Sequence, residues 1–274
     1  MDYSLMLETA MRAAREAGQI ALASIGKPEF QQWKGPRDLL VGSVLPIQQR
    51  IIDIIHAAHP DHAILAEESS ENGLSVGDSN EADPLWIIDP IDGSLNYYQG
   101  IPHFAISIAF RSEGVYQVGV VYNPCTNEMF SALHNRFARL NDQPIVIQQV
   151  SEGESAYDQA IVGTDLPGGM QARQVSLNIA TLLATQAITI NVMGSPALGL
   201  CYVAAGRYHA YYHTALELWD VAAASVVLSE SGGILTDILG GSWLHSTGGY
   251  IATNGVIHGW MVRATKAVLE PSRQ

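Results

Sequence analysis

Cysteine is scarce in this 274-residue chain: Cys125 and Cys201 are the only two, far apart and outside any ligand-spaced cluster. Neither a disulfide framework nor a structural zinc site is expected, and a reducing, cytoplasmic compartment fits. Positive charge is short as well. Fourteen Lys and Arg face 27 Asp and Glu, giving a formal net charge of −13 with no basic run. That balance argues against nucleic acid or anionic lipid as partners, because both are polyanions. Charged residues of all kinds make up only 15% against 47% hydrophobic, so a large core can form and wholesale disorder is excluded.

Several patterns are missing too. No G-x-G-x-x-G or Walker motif occurs, so the glycine pairs at 168–169, 232–233, 240–241 and 248–249 read as turns. One long, apolar and uncharged stretch, Ala187 to Gly206, is interrupted by Asn191, Ser195 and Pro196. It reads as strand, turn and buried helix, and no membrane partner is expected. Asp2, Glu8, Arg12 and Arg15 stand where a secretory leader would need an apolar centre.

Periodicity predicts helices over Ser4–Ser24 and from Pro46 to about Pro60. Strands are predicted at Ala63–Ala66, Leu85–Ile88, Phe104–Phe110, Val115–Tyr122 and Met129–Leu133, the last three as an antiparallel meander. Beyond about Leu140 strands and helices alternate: strands at Ala160–Gly163, Ile188–Val192 and Tyr208–Tyr212, helices at Arg173–Thr185, Pro196–Ala205, Trp219–Ser231 and Val256–Leu269. The pattern predicts an α+β half over 1–140 and an α/β half over 141–274.

The chemistry concentrates where apolar strands end in acids. Trp86–Asn96 reads WIIDPIDGSLN: a strand runs into Asp89, Pro90 fixes a turn, and Asp92 and Gly93 follow. Two carboxylates three residues apart on a rigid turn, with the Ile91 carbonyl between them, suit a hard oxygen-seeking cation such as Mg²⁺. An Asx-type turn is the alternative. Glu67 and Glu68 follow another apolar strand, and Asp220 precedes the small-residue helix start Val221–Ala224. Asp220 also suits a helix N-cap. His56, His59 and His62 read as solvated surface around the end of the second helix.

The chain resembles the inositol monophosphatase family of Mg²⁺-dependent, lithium-sensitive sugar phosphatases. The likeness spans nearly the whole length: AEES at Ala66–Ser69, WIIDPIDGSLN at Trp86–Asn96, GSPAL at Gly194–Leu198 and LWDVAAASVVLSESGG at Leu218–Gly233. It implies a layered αβαβα sandwich of the sugar-phosphatase type, usually a homodimer, with the meander Phe104–Leu133 as a candidate interface. Glu68, Asp89 and the Ile91 carbonyl would hold one Mg²⁺ (or Mn²⁺), and Asp89, Asp92 and Asp220 a second. Ser94, where the family usually has threonine, would contact metal or water. Gly93 and Ser94 would offer N–H groups to phosphate, and Gly194, Ser195 and Pro196 would line the substrate side. Catalysis is expected from Glu68, Asp89 and Ser94, and substrate contacts from Asp92, His213 and Asp220. The substrate would be a small phosphate ester such as inositol monophosphate. Fructose-1,6-bisphosphate, histidinol phosphate and 3′-phosphoadenosine 5′-phosphate are alternatives.

Two departures from that family fall at functional positions. Val41 and Val44 stand where D-L-V-T-x-x-D would place a threonine and an aspartate, close to Lys34. His213 replaces the acid expected seven residues before the W-D aspartate, and histidine cannot act as a double acceptor. A catalytically impaired homologue that binds a metabolite or partner is the alternative of another class.

Overall fold

Strand β4 sets the plan of the molecule, because its side chains alternate between two separate cores, as a strand's period of two requires. Leu85 and Ile87 enter one, Trp86 and Ile88 the other. The computed structural model describes residues 3–27, 30–35, 38–68, 83–147, 157–245 and 248–270. In chain order α1 (Tyr3–Ser24), β1 (Phe30–Gly35), β2 (Asp38–Val41), α2 (Val44–Ala58), β3 (Ala63–Ala66), β4 (Leu85–Asp92) and α3 (Ser94–Gln99) come first. Then β5 (Ala105–Ser112), β6 (Val115–Asn123), β7 (Glu128–Leu133), β8 (Phe137–Leu140) and β9 (Gln143–Pro144) form a meander. The rest comprises β10 (Ile161–Thr164), α4 (Met170–Ala184), β11 (Thr189–Val192), α5 (Pro196–Ala204), β12 (Ala210–His213), α6 (Leu218–Glu230), β13 (Ile234–Asp237), β14 (Tyr250–Thr253) and α7 (His258–Leu269).

Two mixed sheets result: a seven-stranded one, β3 to β9 in sequence order, and a five-stranded one ordered β11-β10-β12-β14-β13. One face of the first packs under α1 and α2, burying Trp86, Ile106, Phe110 and Val120 with Ile47 and Ile51. Its other face shares a core with α5, α6 and the second sheet, through Ala109, Val121, Leu200, Val227, Tyr211 and Ala252. The far face of the second sheet meets α4 and α7 through Val162, Tyr212, Ile179 and Met261. The layers are therefore α, β, α, β, α, as the resemblance implied.

Helix α6 is made of small residues where it crosses between the sheets. A Cβ built on Gly119 of β6 would lie 2.1 Å from the Ala223 carbonyl oxygen, so only glycine admits the helix at this depth.

Two expectations change. The meander is covered on both faces, with every residue of β5 buried, so it leaves no broad apolar face for a partner copy. His59 is buried and His62 is half-buried rather than fully solvated. Their rings stack 4.8 Å apart, the Trp86 indole N–H donates to His62 Nδ1 at 3.1 Å, and Thr9 Oγ1 lies 3.2 Å from His59 Nε2. Helix α1, packed against α2, covers His59 through Thr9. The side chains of Lys34 and Val41 lie outside the described residues.

Candidate active site

β4 stays paired through Asp92, and its ladder with β5 shifts register between Asp89 and Asp92. Pro90 lacks the N–H a regular ladder would need, and the irregularity re-aims both aspartates out of the sheet plane. Asp89 Oδ1 accepts the Ile91 N–H at 2.9 Å, so the Asx-type contact coexists with the cluster. Asp92 Oδ2 accepts the Ala197 N–H at 3.0 Å and the Ser195 hydroxyl. Asp220 sits three residues inside α6, where Oδ2 accepts the Glu217 N–H at 2.9 Å in a capping box with Glu217. The N-cap is thus Glu217, and Asp220 is the third helical residue of that box.

Carboxylate oxygens of Asp89, Asp92 and Asp220 lie within 4.8 Å of one another. Burial raises the pKa of Asp89 and Asp92 well above the ordinary carboxylate range. Glu67, Asp92 and Asp220 push Asp89 further, and Asp220 does the same to Asp92. Such mutual repulsion in a low-dielectric pocket fits a divalent cation held by oxygen donors.

The cluster forms one wall of a cleft of about 820 Å³ that also carries Ile91, Gly93, Ser94, Gly194, Pro196 and His213. Gly93 turns the chain into α3 at φ 94°, and a Cβ there would stand 2.7 Å from the Gly194 carbonyl oxygen. Asn96 ties this turn to the opposite loop, donating to the carbonyls of His103 and Met193 at 2.7 Å each. His213 is buried and its Nδ1 accepts the Ala215 N–H at 3.2 Å. Desolvation lowers its pKa to about 4, so it is a neutral imidazole carrying its proton on Nε2. Among the described residues that line the cleft Arg173 is the only Lys or Arg, and its guanidinium donates to the Pro167 and Leu166 carbonyls.

The chain belongs to the inositol monophosphatase family. That family's sequence model matches residues 2–270. Nus factor SuhB of Vibrio cholerae is 35% identical over 272 residues, spanning 98% of this chain and 96% of that protein. Its counterpart of the same name in Escherichia coli K12 is 36% identical over 256 residues, 91% of each chain. Among solved structures, extragenic suppressor protein suhB of Bartonella henselae matches with a TM-score of 0.86 at 30% identity, covering 95% of this chain and 98% of that one. The Thermotoga maritima IMPase matches with a TM-score of 0.87 at 27% identity, over 97% and 98%.

Two positions differ from the expectations drawn from this family's motifs. Glu67 lines the cleft and acts on Asp89, whereas Glu68 is buried away from it with its N–H donated to Gln48 Oε1 at 3.0 Å. The chain bends as it leaves β3 at Ala66, and of the two glutamates only Glu67 lines the cleft. Ser195 is fully buried behind the cleft wall, where it supports Asp92. Asp165 was not anticipated. Its carboxylate accepts the Met193 N–H at 2.9 Å, the Gly194 N–H, and the Tyr211 hydroxyl at 2.9 Å, fixing the loop that carries Ser195. It follows strand β10 directly, so the rule that singled out the other strand-ending acids applies to it.

Proposed function

We propose that this chain is a metal-dependent phosphomonoesterase acting on a small sugar or polyol phosphate such as inositol monophosphate. The observation that carries the reading is the convergence of Asp89, Asp92 and Asp220, from two distant segments, on one wall of a large cleft. The donor set fits Mg²⁺, with Mn²⁺ as a substitute: carboxylates, the Ile91 carbonyl and room for water and phosphate. When bound, such ions neutralise the phosphate, acidify water and stabilise the leaving alkoxide.

The chain's own groups do the rest. Glu67, in the place first given to Glu68, stands beside Asp89 to hold cation or accept a proton from water. Ser94 orients that water, and the N–H groups of Gly93 and Ser94 face the phosphate oxygens. Neutral His213 donates one hydrogen bond to the organic part. Asp92 and Asp220 close the cleft floor, with Gly194 and Pro196 along its side. The family setting supports a cytoplasmic, lithium-sensitive homodimer, with residues 1–140 supplying the aspartate turn and 141–274 supplying Asp220.

The test is phosphate release from a panel containing inositol monophosphate, fructose-1,6-bisphosphate, histidinol phosphate and 3′-phosphoadenosine 5′-phosphate, with Mg²⁺ and with EDTA. Turnover of at least one ester, stopped by EDTA, is expected. Silence across the panel at saturating Mg²⁺ would leave a second reading, favoured by the name Nus factor carried by the relatives: a binding role. Retention of RNA or RNA polymerase by the silent protein would establish it against the acidic charge balance.

A further inference from the structure

A second cavity of about 490 Å³ adjoins the cleft, and the two share Gly169 and Ala172. Its other walls include Met170 and Val175 of α4, Ile238 and Leu269, and none of the described residues lining it is ionisable. The cleft, by contrast, is lined by six carboxylates: Glu67, Asp89, Asp92, Asp165, Glu217 and Asp220. The sill between them is a hydrogen bond from Thr214 Oγ1 to the Ala172 carbonyl at 2.8 Å. His213 faces the cleft and Thr214 the side cavity, so one step along the chain crosses from the polar space to the apolar one. At Gly169 a Cβ would meet nothing within 4 Å, which leaves the passage open. Leu166, Pro167 and Leu216 continue an apolar surface along the cleft wall toward it.

The geometry points to a substrate whose leaving alcohol carries an apolar or aromatic extension, seated among Met170, Val175, Ile238 and Leu269 while its phosphate lies at the aspartates. The inference rests on the phosphomonoesterase reading and narrows it. A fully hydroxylated ring would leave the apolar side cavity unfilled. A ligand with a charged head and an apolar tail matches both spaces.

The experiment compares ethyl, n-hexyl and 4-phenylbutyl phosphate, whose leaving groups differ little in acidity, together with binding of ethylphosphonate and 4-phenylbutylphosphonate by calorimetry in Mg²⁺. We expect kcat/KM to rise by about tenfold or more from ethyl to 4-phenylbutyl, with a parallel gain in phosphonate affinity. Met170→Asp, at a 62% exposed position that tolerates charge, should abolish the gain and leave the ethyl ester unchanged. Gly169→Leu should abolish it by filling the passage. Equal hydrolysis of all three esters overturns the inference and spares the phosphatase. No hydrolysis, but preferential binding of the phenylbutylphosphonate, overturns the phosphatase and spares the cavity. A gain seen only after removal of residues 271–274 makes the carboxyl-terminal tail the occupant and overturns the inference.

Discussion

The Ser195 hydroxyl donates to Asp92 across 103 residues of sequence, joining the first residue before α5 to the last residue of β4. This bond orients a carboxylate that Ala197 grips from its other side. Ser195→Ala should leave the fold intact and raise the Mg²⁺ concentration for half-maximal activity by about tenfold, as for other residues that orient metal-binding groups. An unchanged Mg²⁺ titration would remove Ser195 from the site.

Glu67 and Glu68 make a paired test. Glu67→Gln should reduce kcat by about 100-fold with little change in thermal stability. Glu68→Gln should leave kcat within about threefold and act on stability instead, because that side chain is buried outside the cleft. The opposite pattern would restore Glu68 to the role first assigned to it.

Metal binding should register as stability. Saturating Mg²⁺ at about 100 times its dissociation constant should add about 2.7 kcal/mol. Asp89→Asn and Asp220→Asn each remove one repelling acid, so both should be at least as stable as the parent in EDTA. Both should lose turnover and the Mg²⁺-induced rise in melting temperature. A full rise in either variant would place the cation elsewhere.

Val44 is the first residue of α2 and only 2% exposed, in the same apolar cluster as Ile91 and Tyr97. Restoring the family's acid with Val44→Asp should therefore destabilise the protein by roughly 2 kcal/mol or more in urea denaturation, without raising turnover. A faster and equally stable variant would show that the pocket still accepts the acid.

Burial lowers the pKa of His59 and His62, and His62 lowers that of His59 further. Below about pH 6.5 the unfolded chain binds more protons at these positions than the fold does. Their contribution is thus full above pH 6.5 and lost as pH falls toward the folded-state values. The melting temperature should drop between pH 7 and pH 5.5 in excess Mg²⁺, and drop less steeply in His62→Phe. Parallel slopes would assign the loss to the other buried histidines.

The sequence carried the layers and most of the site because both are written in local pattern. Apolar runs ending in Asp89 and the glutamate pair announce strands aimed at a ligand, and the small residues after Asp220 announce a helix made to pack closely. What local pattern misses is phase and distance. Whether Glu67 or Glu68 faces inward depends on the last turn of one strand, which β3 fixes only by pairing with β4. Strands β13 and β14 are four residues each and depend on one another and on β12 for their pairing, so no isolated periodicity reveals them. Pro90 reads as a strand end, yet β4 continues through it because the shifted ladder asks no hydrogen bond of proline. Asp165 was legible by the rule used for the other acids, but its work lies in backbone contacts that no motif encodes.

Gly119 lies in the middle of a sheet and takes no part in the cleft, yet the close passage of α6 over it sets how deep that helix rides. Asp220 is carried at the same helix's first turn, so its height above Asp89 and Asp92 is calibrated by a missing methyl group in β6. A survey that ranks positions by proximity to the reacting phosphate would pass over residue 119. Its substitution should nonetheless behave like a lesion of the aspartate cluster, with the helix lifted and the third carboxylate out of reach.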